Sequence, residues 1–386
     1  MKINYRNIAE FPKKIGENLV YHNKNSSFNQ ILEILPPYLI TFENSIPKNE
    51  YVQFLNITPI KSSEIILEYK FLNGIKIPMH SHNMIEIIFI LSGNMKQYIE
   101  DKEYNYSIGD CCIINKNIRH QEHFSTDFCA LFIDISEDFY YKIIQNDCSF
   151  KSNRSKYLNK RKIYKLIEKD NLKTDWSKRI FFYYKPINKE DIKIKVIPIL
   201  DSIMLETIKK EPGYLMVVLG LFTRFFSLLD NEDIYKFEQY ELNLSSHEKI
   251  FSEVSHLLES TKGKISRKEL EEKINYNSEY INRVVKKFSG MTLLNYTKIF
   301  ILAEARYLLE NTDINILEIV EKLGFKNRNY FNKVFKDKYG ISPSEMRTSK
   351  CMNETSEDYV SLEYRYEVAL NESNFSWEKL IKYPDK

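Results

Sequence analysis

The sequence predicts an α+β multidomain fold: an N-terminal β-barrel, a helical segment, and an all-α C-terminal domain made of two helix-turn-helix units. Three observations point there. Strand-like runs separated by turn residues fill 51–135. Apolar residues recur at helical spacing through 190–229. Residues 265–347 twice repeat a capped helix, a tight turn and a second, basic helix. A length of 386 residues is too great for one ordinary domain and suits two or three.

The runs 51–57, 65–72, 86–91, 95–99, 111–115 and 129–135 read as strands. Among them stand Gly74, His80, His82, Glu86 and Gly93, spaced Gly-x5-His-x-His-x3-Glu-x6-Gly, with the glycines supplying turns. This spacing resembles the first signature of the cupin barrels. The second signature is matched in part: after Gly109, Asn115 and Asn117 replace the usual Pro and Gly, while His120 keeps its place. The resemblance implies that all four positions that bind metal in cupin enzymes are filled, by His80, His82, Glu86 and His120. Three imidazoles and a carboxylate in a small barrel can hold Fe, Mn, Zn or Ni with positions left open. The same side chains can instead hydrogen-bond the hydroxyls of an organic effector, with aromatic rings as stacking platforms. His22 and His123 carry no spacing argument and are read as surface or packing residues.

Residues 190–210 place Ile192, Val196, Ile199 and Ile203 at helical spacing, with Pro198 expected to kink or interrupt the helix. Pro212 then opens a second helix with Leu215, Val218, Leu219, Phe222, Phe226 and Leu229 on one side. These stripes need a partner, either their own barrel or a second copy of the chain. Residues 150–187 are Lys-rich and irregular, an elaboration of the barrel, and 234–244 read as the linker to the C-terminal domain.

In the first C-terminal unit, Ser266-x-x-Glu269 is a capping box ahead of Leu270 and Ile274. Asn277 caps the next helix, whose Ile281, Val284, Val285 and Phe288 face inward, and Gly290 suits a left-handed end. Glu279, Asn282, Arg283, Lys286 and Lys287 are left outward. The second unit repeats the scheme. Asn315-x-x-Glu318 caps a helix with Ile316, Ile319, Val320 and Leu323, Gly324 turns the chain, and Asn327 caps a helix with Tyr330, Phe331, Val334 and Phe335 inward. Arg328, Asn329, Asn332, Lys333 and Lys336 face out. Arg and Asn read guanine and adenine in the major groove, while Lys mostly neutralises phosphate. The helix between the units, about 27 Å over 293–310, can hold two reading helices about one DNA turn apart, roughly 34 Å.

The region 315–347 resembles the AraC/XylS family of transcription regulators. The residues that carry this are Ile316, Ile319-Val320, Leu323-Gly324-Phe325, Tyr330-Phe331, Val334-Phe335-Lys336, Tyr339-Gly340-Ile341-Ser342-Pro343 and Arg347. The resemblance implies base contacts at Glu279, Asn282, Arg283, Arg328, Asn329, Asn332 and Lys333. Met346, Ile301 and Glu304 depart from the family pattern. The sensor barrels of such regulators are also similar to the 51–135 segment. That implies a small-molecule effector, a sugar among the candidates, at His80, His82, Glu86 and His120, generally without metal. It further implies a homodimer on double-stranded promoter DNA, with RNA polymerase as partner if the protein activates.

Residues 241–350 carry 19 Lys+Arg against 15 Asp+Glu, a modest excess of positive charge that clusters on the two outward helix faces. Beyond them, 351–386 hold 8 acidic and 4 basic residues, and the alternation from Val360 to Val368 predicts a strand that docks on a sheet edge. Five cysteines without paired metal spacing suit a reducing cytoplasm, with one of Cys111 and Cys112 expected buried and the other exposed. No stretch has a signal-peptide core or the length to span a bilayer.

The chain therefore divides into an arm (1–50), a cupin-like sensing barrel (51–140), an elaboration with helical dimerisation segment and linker (141–240), a tandem DNA-binding domain (241–350) and an acidic tail (351–386). The expected function is that of a cytoplasmic, non-enzymatic activator. The rival is a metal-dependent cupin enzyme or metal sensor fused to a DNA-binding module, holding a divalent transition metal at His80, His82, Glu86 and His120.

Overall fold

The computed structural model describes residues 19–22, 29–46, 51–59, 66–70, 78–100, 102–124, 128–148, 162–163, 179–242 and 244–349. The predicted strand at 360–368, Gly74, Cys351 and most of the 150–187 elaboration lie outside the described residues.

The N-terminal half is built from two facing sheets. The six-stranded sheet runs β1-β2-β6-β11-β8-β9, from β1 (Leu19–Tyr21), β2 (Gln30–Ile34), β6 (His80–His82), β11 (His120–Phe124), β8 (Asn94–Ile99) and β9 (Lys102–Ser107). The eight-stranded sheet runs β14-β13-β10-β7-β12-β3-β4-β5. Its strands are β14 (Tyr235–Leu242), β13 (Arg179–Pro186), β10 (Cys111–Ile114), β7 (Ile85–Ser92), β12 (Cys129–Ile135), β3 (Tyr38–Ile46), β4 (Tyr51–Ile57) and β5 (Ile66–Lys70).

Three sequence expectations are corrected here. Residues 30–34 and 38–46, assigned to an arm, are sheet strands: β3 pairs with both β12 and β4. The supposed linker at 234–244 contains β14, which pairs with β13 along its full length. The apolar/polar alternation of this segment breaks at Glu238-Gln239, and its partner strand lies about fifty to sixty residues away. Cys111 and Cys112 are both buried, because β10 is covered on both faces, the condition under which strands lose the inside–outside alternation.

Helix α1 (Glu137–Cys148) follows β12. A helical turn Lys189–Asp191 and a π-helical turn Ile192–Val196 lead into α2 (Ile197–Lys209). Pro198 sits in the first turn of α2, where its missing N–H costs nothing, so the irregularity falls just before it. Next comes α3 (Tyr214–Leu229). The stripes Leu200, Ile203 and Met204 of α2 and Phe222, Phe225 and Phe226 of α3 pack in one core with Tyr38, Ile87, Phe89 and Leu131 of the sheet. Each such fully buried side chain contributes about 1.5–3 kcal/mol relative to exposure. The helices thus bury their main stripe on their own sheet, while Leu215, Met216 and Val217 remain exposed.

The C-terminal half contains α4 (Ser246–Ser260), α5 (Arg267–Ile274), α6 (Ser278–Ser289), α7 (Leu293–Asn311), α8 (Ile316–Lys322), α9 (Arg328–Tyr339) and α10 (Pro343–Ser349). Two separate cores hold it. Val254, Ile281, Val285 and Phe288 anchor the first, and Leu309, Ile319, Phe331 and Phe335 the second. Helix α7 belongs to both, contributing Leu293 and Tyr296 to one and Ala305 and Leu308 to the other. Capping boxes at Ser245–Glu248 and Ser266–Glu269 fix the starts of α4 and α5. Gly290 and Gly340 end α6 and α9 at φ 71° and 80°, a backbone that only glycine adopts without strain.

A histidine–carboxylate chamber and two reading helices

The chamber lies between the two sheets and follows from strand periodicity. Residues i and i+2 share a strand face, so β6 presents His80 and His82 together, and β11 presents His120 and Glu122. His120 stands directly opposite His80, and Glu122 opposite Gln97 of β8. Across the gap β7 presents Glu86, paired in register with Asp134 of β12, and β3 adds Glu43. All of these side chains are buried.

The four predicted chamber residues are thus brought together. His82 Nε2 lies 3.4 Å from Glu86 Oε1 and 3.6 Å from Asp134 Oδ1. His120 Nε2 lies 3.3 Å from Glu86 Oε2. The His80 and His120 rings are 4.3 Å apart. Donor atoms of His80, His82 and His120 fall within 4.8 Å of one another, as do those of His82, Glu86 and Asp134, and those of Glu86, His120 and Glu122. The sequence reading missed Asp134, Glu122 and Glu43. The available signal was Asp134, a lone charge in the apolar run of β12, and Glu122, two residues after His120.

Backbone carbonyls set the ring orientations. His80 Nδ1 is 2.9 Å from Pro78 O and His120 Nδ1 is 2.9 Å from Ile118 O, so each ring donates through Nδ1 and turns its Nε2 inward. Among the described residues, both ring nitrogens of His82, Nε2 of His120, Oε2 of Glu86, Oδ1 of Asp134 and Oε2 of Glu43 have no hydrogen-bond partner. Burying so many polar atoms unsatisfied is costly.

The charges respond to one another. Burial, with help from the two neighbouring imidazoles, holds His80 well below its ordinary value. Burial also works against charge on Glu86 and His120, but their mutual attraction wins: Glu86 is held far below the carboxylate range and His120 is pushed up to about 10. Asp134 is raised to about 7, chiefly by burial and then by Glu86 against the pull of His82. Glu43 is raised well above its usual value by burial and by Glu122, Glu86 and Asp134. Four carboxyl groups facing three imidazoles suit a cation that would displace their protons, and imidazole plus carboxylate is the donor set of Fe, Mn, Ni and Zn sites.

At the other end, α6 and α9 carry the predicted reading residues. Glu279, Arg283, Lys286 and Lys287 are exposed on α6, as are Arg328, Asn329, Lys333 and Lys336 on α9, while Asn332 is half-buried. Asn282 departs from the outward reading: its Oδ1 accepts the backbone N–H of Leu293 at 2.8 Å and helps start α7. Tyr330, assigned to the inward stripe, is 46% exposed. It lies in the first turn of α9, just ahead of the core-facing Phe331, and Lys298 lies 5.8 Å over its ring. Arg347, by contrast, donates to Ile314 O at 2.5 Å and staples α10 to the loop before α8.

Two helix-turn-helix units sharing one helix, carried behind a sensor with a polar chamber, define a DNA-binding transcription regulator. The model of a helix-turn-helix domain matches residues 270–349, and that of a cupin domain matches residues 69–136. The HTH-type transcriptional activator RhaS of Mannheimia succiniciproducens is 26% identical over 287 residues, spanning 74% of this chain and 95% of that protein. RhaR of an Enterobacter species, also titled an HTH-type transcriptional activator, is 20% identical over 278 residues, 69% of this chain and 86% of that protein. A protein of Proteus vulgaris titled "Probable transcription factor PqrA" is 31% identical over 83 residues, 22% of this chain and 68% of that protein. The chain belongs to the AraC/XylS family of transcription regulators. No helix among the described residues is long and apolar enough to cross a membrane.

Proposed function

We propose that this regulator is a cytoplasmic activator whose DNA-binding half answers to a small molecule held in the chamber. The observation that carries this is the pairing of a buried, unsatisfied polar chamber with two exposed basic helices in one chain. The protein would act as a switch and not as a catalyst: its partners are double-stranded promoter DNA and, for activation, RNA polymerase. Glu279, Arg283, Lys286 and Lys287 of α6 and Arg328, Asn329, Asn332, Lys333 and Lys336 of α9 are assigned to the DNA interface, with bases read by Arg and Asn and phosphates by Lys. Exposed Leu215, Met216 and Val217 on α3 offer a second copy of the chain an apolar face, which supports a homodimer on repeated half-sites. Genomic fragments recovered on the full chain test the proposal. Enrichment of a repeated motif upstream of genes is expected, and recovery indistinguishable from random DNA would refute it.

The donor set favours a second reading, in which the occupant includes a divalent transition metal. His80, His82, His120 and Glu86 would hold it, with Asp134 beside them. Ring nitrogens turned inward by the carbonyls of Pro78 and Ile118, with His120 Nε2 and both nitrogens of His82 left without hydrogen-bond partners, suit such a site once the imidazoles give up their protons. The ion would be either the signal itself or the anchor for an oxygen-bearing effector. Elemental analysis of the purified chain beside the His80→Ala, Glu86→Ala double variant decides between the readings. Near-stoichiometric metal lost in the variant supports the metal reading, and metal-free protein that still binds its promoter removes it.

A further inference from the structure

The chamber and the DNA-binding half are joined through the strands and loop that carry the chamber histidines. On one side, β2 lies parallel beside β6, with Gln30 opposite His80 and Leu32 opposite His82. Asn29 donates to Ser81 Oγ at 3.1 Å, and the side chain of Asn83, just past β6, bonds both the N–H and the carbonyl of Ile34. The next side chain on β2, Glu33, is buried and reaches the other half of the molecule. Lys338 Nζ lies 3.0 Å from it, Tyr339 donates its hydroxyl at 3.3 Å, and Arg306 Nε stands at 3.8 Å. His22, from β1's end, completes the set at 3.0 Å. Arg306 also donates to Leu35 O at 3.2 Å. Lys338 and Tyr339 are the last two residues of α9, the second reading helix.

On the other side, the loop before β11 bonds two chamber residues. Asn117 N–H donates to His82 O at 2.8 Å, and His120 is bonded to Ile118 O. Lys116 of that loop pairs with Glu259 at 2.8 Å and Arg119 with Glu248 at 3.3 Å, both on α4. The strand beside His80 and His82 and the loop before His120 therefore each carry an ionic hold on the DNA-binding half.

We infer that Glu33 is the coupling residue of this regulator. A movement of β6 when the chamber fills is passed along β2 to Glu33, and through Lys338 and Tyr339 it sets the position of α9. This rests on the reading of the chamber as the sensing site. One carboxylate collecting partners from β1, α7 and α9 is suited to such a role, because removing one member of a buried ion pair leaves an uncompensated charge and favours release over adjustment. The grip leaves the exposed reading residues of α9 untouched, so it governs where the helix stands without competing for DNA.

The test is a double-mutant cycle that needs no knowledge of the effector. His80→Trp and His82→Trp each overfill the chamber and displace β6. Their effect on affinity for a duplex selected from a random pool by the full chain is measured in the native background, in Glu33→Gln and in Lys338→Met. Hydrogen exchange of Arg328–Tyr339 is followed in parallel to separate local release from general unfolding. The expected result is a change of at least about fivefold in the native chain, the lower end of typical coupling between sites, shrinking below twofold in both Glu33→Gln and Lys338→Met. Exchange in α9 should rise in those two variants while the sheet stays protected. An equal change in all three backgrounds overturns the coupling role and leaves the sensing site standing. No change even in the native chain overturns the sensing reading and this inference with it.

Discussion

The chamber of the sensor half turns its ionisable side chains inward and the reading helices of the other half turn theirs outward, and the two arrangements have opposite costs. In the chamber, His82, Glu86, His120 and Asp134 are buried with polar atoms that no hydrogen bond satisfies. That arrangement gives up stability in return for a site that a ligand can complete. In the helical half the buried faces are apolar and the free helix N–H groups are met locally by Ser245, Ser266, Asn277, Thr292, Asn315 and Asn327. The charges of its reading faces, among them Arg283, Lys286, Arg328 and Lys336, stay in water until DNA arrives. A region that waits for a small occupant stores unsatisfied groups inside, whereas one that waits for a polyanion displays them.

Four measurements break or sharpen this contrast. The largest effect should come from the apolar core of the helical half. Phe335 is fully buried, so Phe335→Ala should cost about 3–5 kcal/mol in denaturant unfolding, while Tyr330→Ala, at an exposed ring, should stay within about 0.5 kcal/mol. Comparable losses for both would mean that Tyr330 is inside after all.

Next in size is the outward face of α9. Arg328→Ala should weaken specific DNA binding by about 1–3 kcal/mol and relax the preference at one base position. Lys336→Ala should weaken all sequences alike and lower the salt dependence. If both variants bind as the native chain does at moderate salt, α9 is not a reading helix.

Asn282 gives a smaller effect of mixed origin. Its Oδ1 holds the Leu293 N–H, so Asn282→Ala should cost about 1 kcal/mol of stability, as loss of a helix-start hydrogen bond does. A loss confined to DNA affinity would return Asn282 to the base-reading set.

The gentlest effect has the opposite sign and belongs to the chamber. Burial and three neighbouring carboxylates raise the folded-state value of Glu43 well above normal. A raised carboxyl keeps its proton in the folded state after the unfolded chain has released its own near pH 4.3, so stability falls as pH rises through that window. In metal-stripped protein Glu43→Gln should therefore raise the melting temperature at pH 7–8 and flatten its fall with pH. A lower melting temperature at pH 8 would show that the charged form of Glu43 is the one the fold prefers.

How much was legible follows the same division. The capping boxes, the Asn caps, Gly290 and the inward stripe of α6 depend on neighbours within a turn or two, so sequence spacing located them. The four chamber positions were legible because His80, His82 and Glu86 share one short segment. Asp134 was not, since its place opposite Glu86 depends on how β12 pairs with β7, forty-eight residues away in sequence. Glu33 was passed over for the same reason, because its partners Arg306, Lys338 and Tyr339 lie some three hundred residues away, and His22 joins them only through Glu33. Cys111 and Cys112 misled because alternation assumes one wet face, and β10 has none.

The sequence by itself determined the kind of protein, for helix periodicity, caps and turn glycines are local consequences of backbone geometry and side-chain chemistry. It also named the imidazoles and one carboxylate of the chamber. Tertiary structure decided which further acids join them, which helix faces remain open, and how β2 bridges the chamber to α9. Those outcomes depend on strand register and on contact between distant segments, where a shift of one residue exchanges the inside of a strand for its outside.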